Sequence, residues 1–285
     1  MKNNGSDIMT TAIAPLIWGS TYIVTTELLP PGIPITAALL RALPAGLLLL
    51  LIVRQIPTGH WWPKVFVLGA LNFSIFWIML FVSAYRLPGG VAATVGAIQP
   101  LIVIFLAHLF LSRPIRRQSV LAAMAGFIGV GLLVLTPSAR LDMLGIAAGL
   151  AGAVSMAFGT VLSRRWQPPV SPLTFTAWQL TAGGILLLPL ALLLEPGLPP
   201  LSTLNMVGFL YMGIISAALT YMLWFRGIAR LESSVVASLA LLSPAAAVLL
   251  GWSLLGQGMS SPQILGIVIV VGSIWAGQRV EARPQ

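Results

Sequence analysis

Arg41 lies inside the apolar run PITAALLRALPAGLLLLLIV, and no other charged residue sits so deep in such a run. It follows Pro34 by seven residues, about 10 Å of helix at roughly 1.5 Å per residue. Charge in hydrocarbon is unfavourable, so an ionisable group inside a membrane span is a functional candidate. Two uses fit it. The side chain snorkels to the outer interface or bonds helix carbonyls, or it stands as a cation beside a site and attracts a substrate carboxylate.

A second chemistry resides in Gln99-Pro100 and Ser243-Pro244. Each proline removes one backbone N–H and frees a carbonyl about a turn earlier, near Gly96 and Ala240. In hydrocarbon a freed carbonyl must be met by protein, water or ligand. Either the Gln99 and Ser243 side chains satisfy the kinks locally, or the kinks bend their helices around a central cavity where carbonyls receive an amino group. Helical spacing supplies further candidates. Pro15, Trp18, Gly19, Tyr22 and Thr26 share one face, as do Gly213, Ser216, Thr220 and Gly227 with Tyr221 and Trp224 beside them. Gly69, Asn72, Phe76 and Ser83 repeat this with Trp77 beside them. Such stripes serve as packing faces or as the apolar, sparsely polar wall of a pocket for an amphipathic metabolite. The candidate cavity residues are therefore Trp18, Tyr22, Arg41, Asn72, Phe76, Trp77, Gln99, Pro100, Ser216, Thr220, Tyr221, Trp224, Ser243 and Pro244.

Covalent or metal chemistry is not expected. There is no cysteine, and His60 and His108 are too few for a usual metal site. The six acids, Asp7, Glu27, Asp142, Glu195, Glu232 and Glu281, all fall at span ends, in loops or in a tail. An enzyme would want a base or nucleophile in the membrane, and a proton-coupled carrier commonly holds a carboxylate there. The expectation is no cofactor, no metal, no catalytic residue, and facilitative movement down a gradient.

The elements that must position these residues are membrane helices. Hydrophobic residues make up 58 % of the 285 and charged residues 7 %, against about 25 % charged in soluble domains. A span needs about 20 apolar residues. Ten are predicted, near 9–28, 34–54, 64–85, 89–111, 118–136, 143–163, 172–194, 204–225, 233–255 and 262–279, which leaves no soluble domain. The first reads as a retained helix, since no small-residue cleavage site follows it. A net charge of +9 would suggest nucleic acid in a soluble protein, but here the cations sit in short loops and report topology. With the N-terminus inside, Lys2, Arg54, Lys64, Arg113, Arg116, Arg117, Arg164, Arg165, Arg226, Arg230, Arg279 and Arg283 are cytoplasmic, and Arg86 and Arg140 are outside. Both termini are then cytoplasmic.

The stretch from Arg86 to Arg113 returns 144 positions later, so that Arg86, Val91, Pro100 and Leu111 fall on Arg230, Val235, Pro244 and Leu255. At an offset of 138, Pro34, Arg41 and Gly46 fall on Pro172, Gln179 and Gly184. Five spans per copy invert the second copy, which places Arg86 outside and Arg230 inside. The fold expected is an all-α integral membrane protein, two inverted five-helix repeats (1–137 and 138–285) around a central cavity. Inverted repeats build carriers that expose one midplane site to each side in turn.

Trp18-Gly19-Ser20, Arg41, the Gln99-Pro100 and Ser243-Pro244 helices, and Gly126, Gly129 and Gly131 resemble the EamA family of the drug/metabolite transporter superfamily over essentially the whole chain. Within it the chain is most similar to bacterial aromatic amino-acid exporters. The resemblance implies a multi-pass carrier of the bacterial inner membrane exporting amino acids, aromatic or hydrophobic, and similar amphipathic metabolites by alternating access. Partners would be a small-molecule substrate and the lipid bilayer, with no nucleic acid. Relatives usually carry a glutamate after the proline helix of each half, where this chain has Arg113 and Gln257. Exporters of other metabolites or drugs, and nucleotide-sugar or sugar-phosphate carriers, share the fold. Phosphate groups call for several converging cations, and one intramembrane arginine argues against them. The glycine face at Gly126, Gly129 and Gly131 packs on the bundle or on another protomer.

Overall fold

Long runs of Leu, Val, Ile and Ala broken by Pro and Gly fold as helices, because in lipid each backbone N–H must bond within its own segment. The computed structural model describes residues 4–86, 95–134, 142–256 and 258–281, with the backbone alone for a few such as Tyr22 and Thr26. All regular elements among them are helical. In chain order they are α1 (Asn4–Gly19), α2 (Thr21–Leu28), α3 (Pro34–Val53), α4 (Trp61–Gly69), π1 (Ala70–Ser74), α5 (Ile75–Arg86), α6 (Gln99–Leu111), α7 (Arg117–Val134) and α8 (Met143–Arg165). There follow α9 (Pro172–Leu194), α10 (Thr203–Leu210), π2 (Tyr211–Leu219), α11 (Thr220–Arg230), α12 (Ser233–Leu239), α13 (Leu242–Leu255) and α14 (Ser261–Glu281). Among the described residues eight helical runs are long and apolar enough to span a membrane, and Gln99–Leu111 and Arg117–Leu133 are shorter apolar helices. Residues 89–94 of the predicted fourth span, and Gln257, lie outside the described residues.

Departures from plain α-helix recur at matching positions. In π1 the register gains a residue, and Ile75 N–H reaches back five residues to Ala70 O. In π2 Thr220 N–H reaches Ile215 O. Shifted by 144, residues 70–74 land on 214–218, inside π2. Both proline helices start afresh just before the proline, α6 at Gln99 and α13 at Leu242. They also end alike: Ser112 (φ 53°) and Gly256 (φ 64°) adopt the left-handed cap, each 144 apart from the other. Glycine takes that conformation freely and serine does not.

Contacts between helices pair the elements as α3 with α9, α7 with α14, α5 with α8, and α1 with both α11 and α13. Small residues allow the approach. A Cβ on Gly46 would lie 2.5 Å from Thr181 N, and one on Gly184 would lie 2.7 Å from Leu43 Cα, so α3 and α9 cross backbone to backbone. Their ends are tied as well. Glu195 accepts from Ile35 N–H at 2.6 Å and Thr36 N–H at 2.7 Å, a carboxylate at the positive end of α3. At the other end Trp178 Nε1 donates to Gln55 O at 2.7 Å. The face at Gly126 and Gly129 meets Ser273, Ile269 and Val270 of α14, which assigns those two glycines to packing within the chain.

Candidate functional site

Six of the predicted cavity residues, Trp18, Trp77, Ser216, Thr220, Tyr221 and Trp224, come together with Arg41. It stands on the inner face of α3, only 9 % exposed, and its Nη2 donates to Ser216 O at 2.8 Å and to Ser216 Oγ at 3.0 Å. The guanidinium Cζ lies 4.9 Å from the Trp77 ring centroid, a cation–π distance. Snorkelling is therefore not its use: the side chain turns into the bundle. Thr220 Oγ1 donates to Ser216 O at 2.8 Å and accepts from Trp18 Nε1 at 2.9 Å. Trp18 then packs against Tyr221 and Trp224, with centroids 4.9 and 5.0 Å apart. The result is a cation on a hydrogen-bonded rail of hydroxyls, walled by aromatic rings.

Charge balance is what sets this cluster apart. Among the described residues no carboxylate lies within ion-pair distance of Arg41; the ion pairs are Arg86–Asp142, Arg113–Glu232, and Arg226 and Arg230 with Asp7. A carbonyl, a hydroxyl and a ring face hold the guanidinium, and its Nε–H has no partner. A buried donor left unpaired costs about 1–3 kcal/mol, more for a charged group.

Asn72 belongs to a separate, neutral cluster. Its Nδ2 donates to Gln179 Oε1 at 2.8 Å and Ser163 Oγ at 3.2 Å, all three residues fully buried. Gln179 is 138 positions after Arg41, and Ser216 is 144 after Asn72. Arg41–Ser216 and Gln179–Asn72 thus join corresponding pairs of positions, one with charge and one without. Both Asn72 and Ser216 lie in the π segments, where an added residue turns the side chain away from the α-helical face. π-bulges are frequent at functional sites.

The remaining predicted residues fall elsewhere. Phe76 is half-buried at the edge of the main core. Gln99 and Pro100 are buried at the start of α6, Gln99 with its Nε2 unpartnered, and Pro100 borders a small cavity of about 20 Å³ with Ser119, Ser238 and Ser273. Ser243 and Pro244 are half-buried, and a Cβ on Gly19 would lie 2.8 Å from Ser243 O, so α1 seats against this break. The Tyr22 side chain lies outside the described residues. One expectation is corrected. The carbonyl expected free near Ala240 accepts Ser243 N–H at 3.0 Å, because the helix tightens by one residue there and closes on itself. A similar tightening puts Leu101 N–H on Ile98 O at 3.0 Å.

Several members of these clusters escaped the sequence reading. Phe73 lies 4.6 Å from Tyr221 and 5.3 Å from Trp77 by ring centroid; it stands four residues before Trp77 on the same helical side, and the face drawn through Asn72 and Phe76 passes beside it. Tyr211 OH meets Ser20 Oγ at 2.6 Å where the first helical run breaks. Ser163 joins the neutral cluster, and Gln179 had been noted only as the counterpart of Arg41.

The sequence profile described as "EamA-like transporter family" matches residues 6–135 and 143–276. Protein PecM of Dickeya dadantii is 47 % identical over 264 residues, which span 92 % of this chain and 88 % of PecM. The inner membrane transporter YedA of Escherichia coli K12, itself uncharacterized, is 30 % identical over 271 residues, 91 % of this chain and 86 % of YedA. A solved crystal structure superposes with a TM-score of 0.84 over 99 % of this chain and 100 % of its own, at 19 % identity, a likeness of fold.

Proposed function

The chain belongs to the EamA-like transporter family of multi-pass membrane transporters, and on that premise we propose that it is a facilitative carrier exporting amphipathic metabolites that bear a carboxylate. Amino acids with aromatic or hydrophobic side chains are the first class to try. The observation that carries this reading is Arg41: a buried cation with an unpartnered Nε–H and, among the described residues, no carboxylate within ion-pair distance, set against the Trp77 ring and joined through Ser216 and Thr220 to the packed rings of Trp18, Tyr221 and Trp224. A planar guanidinium takes a carboxylate through two N–H groups, and the aromatic walls suit an apolar body.

The rest of the proposal is architectural. Ten spans form two inverted repeats, 1–137 and 138–285, both termini are cytoplasmic, and the site opens to each side of a bacterial inner membrane in turn. The paired positions of the π segments, the proline breaks and the two side-chain clusters support the repeat. The loop cations support the orientation. Asn72, Gln99, Pro100, Ser243, Pro244, Phe76 and Tyr22 stay in the proposal as residues that shape or line the path.

The test is efflux of labelled phenylalanine from proteoliposomes with the full chain and its Arg41→Ala, Arg41→Gln and Arg41→Lys variants. Loss of a charged hydrogen bond to substrate is worth about 1.5–3 kcal/mol, so efflux through Arg41→Gln should fall roughly tenfold or more. Unchanged efflux in all three, with normal yield, removes Arg41 from the mechanism.

A further inference from the structure

Resting on the carrier reading above, we infer that the Arg41 site reads the acid group of its substrate and not an amine, so its substrate class is aromatic or similarly planar organic monoacids. An α-amino group is dispensable.

An ammonium would need hydrogen-bond acceptors or a carboxylate beside it. Four carboxylates are engaged at helix ends. Glu195 caps α3 through both oxygens, Asp142 caps α8 at Gly145 N–H, Asp7 holds Arg226 and Arg230, and Glu232 holds Arg113. Glu27 is exposed in the last turn of α2, and the Glu281 side chain lies outside the described residues. Among the described residues no carboxylate lies within ion-pair distance of Arg41. The neutral acceptors that hold Arg41 and Trp18 are committed too. Ser216 O already receives Arg41 Nη2 and Thr220 Oγ1, and Thr220 Oγ1 receives Trp18 Nε1. Ser20 Oγ gives its proton to Ile17 O at 2.7 Å, so its 2.6 Å bond to Tyr211 is donated by the phenol. Carbonyls at the Pro244 break are closed by local bonds. An ammonium would thus meet few acceptors and the like charge of Arg41.

An acid finds the reverse. The unpartnered Nε–H of Arg41 is aimed from a side chain more than nine-tenths buried, and the guanidinium has five donors of which the two bonds to Ser216 use Nη2 alone. A carboxylate accepting from Nε and displacing a Ser216 contact would neutralise the one cation in the cluster.

The test is ligand quenching of intrinsic tryptophan fluorescence in the purified full chain, since Trp18, Trp77 and Trp224 report on the site directly. The probes are phenylalanine, 3-phenylpropionate, phenethylamine and 3-phenylpropanol. The expected order has 3-phenylpropionate binding at least as tightly as phenylalanine, with phenethylamine and the alcohol weaker by about tenfold or more. Arg41→Gln should abolish the preference for acid, and Arg41→Lys should retain part of it. If phenylalanine binds and 3-phenylpropionate is tenfold weaker or worse, the inference falls while the carrier reading stands. If the amine or alcohol binds best, or Arg41→Gln keeps the acid preference, Arg41 is not the anchor and both fall. A size-exclusion profile separates a misfolded variant from a binding defect, and the wild-type ligand order decides the matter without any variant.

Discussion

Gly159→Ala should loosen the neutral cluster in a calculable way. A Cβ there would lie 2.1 Å from Asn72 Oδ1, 2.6 Å from Cγ and 3.1 Å from Nδ2. Such contacts are impossible, and Asn72 is fully buried, so its side chain must leave. Two bonds go with it, the 2.8 Å bond to Gln179 and the 3.2 Å bond to Ser163. Interhelical hydrogen bonds in membranes are worth about 0.6 kcal/mol each on average, and overpacking adds roughly 1–3 kcal/mol. Gln179 would retain one weak donor, Ser163 Oγ at 3.5 Å, with its Nε2 still unpartnered. The sum is about 2–4 kcal/mol.

Asn72→Ala removes the same bonds without the clash and should cost about 1–2 kcal/mol. The double variant Asn72→Ala/Gly159→Ala should resemble Asn72→Ala alone, because the new methyl fills space the amide vacated. The assay is apparent melting of the detergent-purified chain by tryptophan fluorescence at one fixed scan rate, since such unfolding is commonly irreversible. At about 2 °C per kcal/mol for a chain of this size, Gly159→Ala should melt roughly 4–8 °C below wild type. If Gly159→Ala is silent, or if adding Asn72→Ala worsens it, Asn72 does not pack where its hydrogen bonds place it.

Thr220→Val should leave the Trp18 indole N–H without its acceptor and remove one bond to Ser216 O, costing about 1–2 kcal/mol; Thr220→Ser should melt like wild type, and equal melting of valine and serine variants would contradict the Trp18 bond. Glu195→Gln keeps one oxygen for the Ile35 and Thr36 amides and loses the charge at the start of α3, so melting should fall by the equivalent of about 1 kcal/mol, with no change in the ligand order measured by tryptophan quenching.

Helix positions were largely legible because apolar runs and their breakers are written locally. The span expected at 172–194 is α9 (Pro172–Leu194), and that at 34–54 is α3 (Pro34–Val53). What periodicity misjudged was register. A reading at 3.6 residues per turn leaves the partners of Asn72 and Ser216 undefined, whereas π1 and π2 each insert a residue and turn those two side chains toward α9 and α3. Such an insertion depends on what packs across from it, so no local pattern announces it. Arg41 shows the same limit. Its helix and depth are plain in the run PITAALLR, but whether it snorkels or turns inward depends on acceptors 175 residues away. The paired prolines foretold two breaks correctly and the fate of the Ala240 carbonyl incorrectly, since a one-residue tightening is a backbone option that a lone proline does not disclose.

The two matched clusters differ in one property that bears on mechanism. Asn72 and Gln179 are neutral amides bonded to each other, and the atoms they leave unpaired, Asn72 Oδ1 and Gln179 Nε2, carry no net charge. Arg41 occupies the corresponding place with a full charge, which dipoles stabilise less well than an anion does. If the repeats move as near-equivalent bodies, the neutral cluster holds its helices with an energy that no solute changes. The Arg41 cluster holds its helices through Ser216, and the carboxylate substrate we propose would compete for the same guanidinium. Its binding would then weaken one side of the bundle selectively, and a solute can shift a conformational equilibrium only by such a difference in affinity between states. Replacing Gln179 by arginine would give both clusters the same charge, remove the asymmetry, and be expected to uncouple acid binding from helix movement.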